Sequence, residues 1–246
     1  VKHKIYHHSA SSLNLFEKSP WLYSLKYLGK YRTPPAPKPA RGTAVEHGLT
    51  ELLAGRNMVE AVGVAYDQYD SEIGPMVDPM GEQRRLIEPM LERAWKIYER
   101  APVPLAVQLH ITHQMEGVDL PLDGYIDYVF PHPMGIDDLK TTEAIPRRGP
   151  RWDNVRQVAL YSVHQGKPAR LVYVSAKDSL VYDIGETEIQ RAYAELRNIA
   201  LSCQFFLSRM DNVAEALKMF APSRDACYTD EEFVDAYEAH QKLKSV

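Results

Sequence analysis

The sequence predicts an α/β sandwich, with a mixed central β-sheet flanked by helices and an α-rich N-terminal part. Three observations carry this. Residues 1–104 repeat apolar side chains mainly at helical spacing. From residue 105 the pattern changes to short alternating runs rich in β-branched and aromatic residues, and after residue 150 the two periods alternate. At 246 residues the chain can bury one substantial core. A single domain over 1–246 is therefore expected, with a helical part at 1–104, a sheet core at 105–185 and C-terminal helices at 186–246.

The elements follow in order. "SASSLNLFEKSPWLYSLKYLGKY" opens with serines able to cap a helix and continues with Leu13, Phe16, Leu22, Leu25 and Leu28, with a kink or break at Pro20. "RTPPAPKPA" holds four prolines in nine residues and reads as an extended connector. "GTAVEHGLTELLAG" then reads as a helix closed by Gly55. Further helical patterns lie at 58–70 and in "GEQRRLIEPMLERAWKIYER", where Pro89 predicts a bend. "LAVQLHITHQME", "LDGYIDYVF" and "MGIDDLKTT" read as a three-stranded meander. "RWDNVRQVALYSVHQG" restores a helix, "ARLVYVSA" and "SLVYDI" read as two more strands, and "ETEIQRAYAELRNIALSCQFFLSRM" as a long amphipathic helix. A last helix with a mobile tail is expected in "YTDEEFVDAYEAHQKLKSV".

Composition narrows the functional classes. Hydrophobic residues at 45% and charged residues at 25% fit a soluble globular chain, and no apolar run is long enough to span a bilayer. No signal-peptide pattern opens the sequence, so a cytoplasmic location without membrane partners is the expectation. Cys203 and Cys227 form no CxxC or Cys/His pattern and are expected as free thiols. A net charge of -4 argues against simple phosphate binding, but not against a site where metal ions supply the countercharge. "TPPAPKPARG" and "IPRRGPRW" place basic residues on either side of the candidate chemistry, as a strand-guiding groove or as solvated loops.

That chemistry lies in "DGYIDYVFPHPMGIDDLKTTEAI". Asp127 and Asp138 fall on adjacent strands across a hairpin, about 4.8 Å apart. Carboxylates at matched positions can share one divalent ion, and two hard oxygen ligands suit Mg²⁺ or Mn²⁺. Lys140 follows Asp138 by two residues and shares its face, whereas Asp137 points the other way. A lysine there can orient an attacking water, or deprotonate it if the site lowers its pKa. The same residues would also suit a surface hairpin with an ordinary cross-strand pair. Apolar neighbours Ile126, Tyr128, Ile136 and Leu139 favour the metal, because unpaired charge is costly among them.

"GYID", "IDDLKTT" and "QVALY" in this order resemble the PD-(D/E)xK nuclease superfamily, with its restriction-endonuclease-like core. The likeness is to the RecB-type and phage recombination exonuclease branch. "GTAVEHG" is similar to that branch's Gly-x-x-x-x-His element, and "SASSLNLFEKSPWLY" to its Ser-rich first helix; the resemblance covers about residues 9 to 175. It implies His47, Asp127, Asp138 and the Leu139 carbonyl as metal ligands, with Glu51 helping to hold a second ion. It makes Lys140 the catalytic lysine and Gln157 and Tyr161 helix residues that contact DNA or support the site. The two cysteines fall short of the four that the iron-sulfur members need, so no cluster is expected.

The implied activity is a Mg²⁺- or Mn²⁺-dependent exodeoxyribonuclease acting on linear duplex ends in phage-type recombination or repair. Its setting would be the host cytoplasm if phage-encoded, its partner a single-strand annealing or single-strand-binding protein, and its assembly open to homo-oligomers. The competing readings are a structure-specific or single-strand endonuclease on the same core, and a non-catalytic DNA- or partner-binding module. Ser9, Ser11 and Ser12, with Lys18 or Arg41, would form a pocket for a terminal 5′-phosphate, or the serines are a simple N-cap.

Overall fold

A computed structural model describes residues 3–74, 77–227 and 230–244. Five strands form one sheet in the order β1-β2-β3-β4-β5: Ala106–His113, Leu122–Val129, Ile136–Thr141, Ala169–Val174 and Ser179–Ile184. β2 is antiparallel to β3, β3 parallel to β4, and β4 antiparallel to β5. The single parallel step needs a crossover, and α6 (Trp152–Gln165) supplies it. The sheet is mixed, as the sequence predicts. Among the described residues no helix is long and apolar enough to cross a membrane.

The chain forms two compact units. One comprises residues up to Pro34, Ile111–Gly124 and the chain from Gln190 onward; the other comprises Pro35–His110 and Tyr125–Ile189. In the first, Ser9 caps α1 (Ala10–Lys18) by accepting from the Ser12 amide, while the Ser12 hydroxyl accepts from the Ser9 amide. Pro20 breaks the helix as expected: it opens α2 (Pro20–Tyr23), where a proline needs no amide hydrogen, and a π-helical turn, Ser24–Leu28, follows. Trp21, Leu22 and Leu25 pack with Leu217 of α8 (Val213–Met219) and Ala236 of α9 (Asp230–Lys244). The Trp21 indole donates to His240 Nδ1 at 3.0 Å. Neither α8 nor the π turn is foreseen from periodicity, each being too short to establish a period. The tail expected after the last helix falls at 245–246, outside the described residues.

In the second unit α3 (Pro37–Leu53), α4 (Met58–Glu72) and α5 (Ile87–Tyr98) pack through Val45, Leu49, Ala65, Met90 and Leu91 onto Tyr128, Leu139, Val172 and Val174 of the sheet. Gly48 permits the close approach, since a Cβ there would meet Leu91 Cδ2 at 2.7 Å and the Ala61 carbonyl at 3.1 Å. Two proline expectations change. α3 begins at Pro37, inside the supposed connector, and Pro89 is the third residue of α5. Both lie in a first turn, where no intrahelical donor is lost, so neither has to break or bend its helix. α6 covers the other face, with the Tyr173 hydroxyl accepting from the Arg151 amide and Asn154 Nδ2.

The edge strand β1 runs against β2 with Gln108 opposite Asp127 and His110 opposite Tyr125, as their side-chain contacts show. The β2–β3 turn is fixed by Gly135, at φ +78, where a Cβ would lie 2.2 Å from the Pro168 carbonyl oxygen. No other residue fits there.

Candidate active site

The β2–β3 ladder pairs Val129 with Ile136 and Tyr128 with Asp137, and stops. Extending that register by one residue sets Asp127 opposite Asp138, where the strands have begun to part. The Leu139 amide, released from the ladder, donates instead to Asp127 Oδ2 at 2.8 Å. Since the amide and carbonyl of one strand residue face the same side, the Leu139 carbonyl also faces this opening.

Lys140 Nζ lies 2.6 Å from Asp138 Oδ2 and donates to Gln157 Oε1 at 3.1 Å. Gln157 Nε2 in turn donates to the Tyr161 hydroxyl at 2.9 Å. One turn of α6 separates these two residues, so a single helix face holds the lysine from behind. The structure thus brings together five of the residues singled out in the sequence: Asp127, Asp138, Lys140, Gln157 and Tyr161.

His47 and Glu51 are placed differently. His47 is exposed on α3, and Glu51 pairs with Arg56 at 2.6 Å. The α3 residue that meets the cluster is Glu46, which periodicity does not single out. Glu46 and His47 fall about equally far to either side of the stripe Ala44, Val45, Gly48, Leu49 and Leu52, and only the position of β2 decides between them. The Tyr128 hydroxyl helps set it by donating to the Glu46 carbonyl at 3.1 Å. Gln108 was missed as well. Its Nε2 donates to Glu46 Oε1 and, at 3.2 Å, to Asp127 Oδ1. Its φ of +48 is a left-handed value in mid-strand that a side chain rarely adopts, and no sequence signal announces it.

The electrostatics of the cluster are those of carboxylates short of positive charge. Burial pushes Asp127 well above the usual carboxylate range, and Asp138 and Glu46 push it further. Burial also raises Asp138, against the pull of Lys140. Glu46 is pushed up to about 7, by burial first and then by Asp138. Burial alone would lower Lys140, but Asp138 and Asp127 overcome it and raise its pKa. Lys140 is therefore an ammonium in the metal-free site.

Oδ1 of the buried Asp138 has no hydrogen-bond partner, and Oδ2 meets the Lys140 ammonium at 2.6 Å. A buried carboxylate met on one oxygen alone, by a lysine shared with a second carboxylate, is costly unless a further cation completes it. Asp138, Asp127, Glu46 and the Leu139 carbonyl offer hard oxygen donors of the kind a divalent cation takes with water. Among the described residues no three His, Cys, Asp or Glu side chains stand as a group that could hold a metal ion as they are. The residues fit an open, partly hydrated site rather than a sealed structural one.

The model of the PD-(D/E)XK nuclease superfamily matches residues 7–231. The chain belongs to that superfamily. Asp138-Leu139-Lys140 has the (D/E)-x-K form from which the superfamily takes its name. A search of curated proteins found no match. Among solved structures, one titled "Crystal structure of SSO0001" shares 16% identity at a TM-score of 0.33, over 66% of this chain and 85% of that one.

Of the residues singled out for a 5′-phosphate, the Ser9 and Ser11 hydroxyls bond to each other at 2.9 Å, and the buried Ser12 donates to the Ser9 carbonyl. These bonds are those of a helix cap. Arg41 is buried on α3, with Nη1 donating to Gln83.

Proposed function

We propose that this nuclease-superfamily chain hydrolyses DNA phosphodiester bonds with Mg²⁺ or Mn²⁺, acting as an exonuclease on DNA ends. The observation that carries the reading is Asp138: fully buried, with Oδ2 against Lys140, Oδ1 without a partner, and Asp127 beside it. A cation held by Asp127, Asp138 and Glu46 would polarise a phosphoryl oxygen and make a water a better nucleophile.

The chain's own residues do the rest. Lys140 presents its ammonium to the attacking water and to the charge that grows on the phosphoryl group. Gln157, aligned by the Tyr161 hydroxyl, keeps that ammonium from swinging away. Gln108 holds Glu46 and Asp127 in one orientation through two bonds from a single amide nitrogen. Attack in line with the leaving 3′-oxygen gives a 5′-phosphate product.

The test is digestion of linear and covalently closed duplexes with and without Mg²⁺, after removal of metal by EDTA. Metal-dependent loss of linear DNA with the circle intact is expected. Cutting of the circle would select the endonuclease reading, and undiminished digestion by the metal-stripped protein would remove the central claim.

A further inference from the structure

We propose that Tyr125 and His110 form a stacking platform for one unpaired nucleobase next to the scissile phosphate, so that the enzyme requires a single-stranded or frayed nucleotide at its site. This rests on the nuclease reading above and adds the state of the substrate.

Tyr125 lies two residues before Asp127 on β2, which places it on the same face, about 6.8 Å along the strand. It is 57% exposed, although it sits in mid-strand. Across the strand pair His110 is exposed as well, with ring centroids 4.9 Å apart and planes 40° from parallel. The adjoining cross-strand pair on this face is Gln108 with Asp127, which belongs to the carboxylate cluster. The aromatic pair is therefore continuous with the site and offset from it by about one nucleotide.

Its chemistry selects the base rather than the backbone. A phosphate at Asp127 and Asp138 would be met by the cation and Lys140; the next step along the sheet offers the rings of Tyr125 and His110. Aromatic faces beside a phosphate site stack bases with little regard to sequence. A base inside a duplex already has both its faces covered by its neighbours. Away from a blunt terminus only an unpaired base can lie on Tyr125, and an exposed aromatic in water gains by being covered.

The experiment measures binding and cutting separately. Binding uses Ca²⁺ in place of Mg²⁺ and a single strand carrying 2-aminopurine beside the scissile phosphate, the probe's fluorescence being quenched when its base stacks. Wild-type protein is expected to quench it and to bind the strand at least about 10-fold more tightly than a fully paired, blunt duplex. Tyr125→Ala should lose the quenching and weaken single-strand binding roughly 10-fold, whereas Tyr125→Trp should restore both. An abasic nucleotide at the same position should bind wild type and Tyr125→Ala alike. Equal binding of wild type and Tyr125→Ala, or equal quenching by both, overturns the platform. If the wild type cuts no DNA but shows these binding differences, the nuclease reading fails and the platform stands; if it cuts while Tyr125→Ala binds and quenches normally, the reverse holds.

Discussion

Asp137 and Asp138 are neighbours on β3, 0% and 1% exposed, and they face opposite sides of the sheet. Asp137 accepts two bonds from Arg170, from Nε at 2.7 Å and from Nη2 at 2.5 Å. Asp138 meets a single ammonium, Lys140 at 2.6 Å from Oδ2, which it shares with Asp127 and Gln157, and its Oδ1 is left without a partner. The first arrangement closes a charge inside the fold, whereas the second leaves one open. Burial therefore does not separate a structural carboxylate from a functional one. What separates them is whether the fold has supplied all the partners.

The largest expected effects divide the two. Asp138→Asn should lower turnover about 1,000-fold, on the scale of losing a group that stabilises transition-state charge, while the melting temperature holds or rises. Asp137→Ala should do the opposite. It strands Arg170 in a partly buried position and should cost about 3 kcal/mol of stability, with turnover per folded molecule unchanged. Denaturant titration alongside steady-state rates checks both, and a stable but inactive Asp137→Ala would break the comparison.

Lys140→Ala should reduce turnover about 100-fold and leave divalent-cation binding in place, as calorimetric titration would show. Gln108→Ala, which frees Glu46 and Asp127 to move, should raise the cation concentration for half-maximal rate about 10-fold, in the range of lost outer-shell support. The smallest effect concerns pH. Glu46, Asp127 and Asp138 all have raised folded-state pKa values. Between their unfolded and folded values the native state holds more protons than the unfolded one, so metal-free stability falls as pH rises. For Glu46 that window runs from the ordinary carboxylate range to about 7. Thermal melts in EDTA should show the decline, saturating Mg²⁺ should flatten it, and Glu46→Gln should remove the part due to Glu46. A metal-free melting temperature that rises over this interval would contradict the assignment.

Much of this was legible in the sequence, and for physical reasons. The period of two along "IDDLK" put Asp138 and Lys140 on one face and Asp137 on the other, and both pairings follow it. The period of four put Gln157 over Tyr161. β5 was bounded to the residue because Leu180, Val181, Tyr182 and Ile184 fall between the breakers Asp178 and Gly185. What escaped depends on the third dimension. Glu46 and His47 are equivalent on the helix wheel until β2 is placed beside one of them. The left-handed turn at Gln108 is a backbone choice that its side chain does nothing to advertise.

The parting of β2 from β3 also makes one amide a reporter. All six residues of β3 are zipped to β4, and alternation sends the Asp138 and Lys140 amides to that closed side. The Leu139 amide faces the open side and, among the described residues, is held by Asp127 Oδ2. In hydrogen exchange, Asp138 and Lys140 should open only with the core of the sheet, whereas Leu139 exchanges at whatever rate its single side-chain acceptor allows. Ligation, protonation or substitution of Asp127 is then recorded at one backbone hydrogen, against two silent neighbours in the same strand.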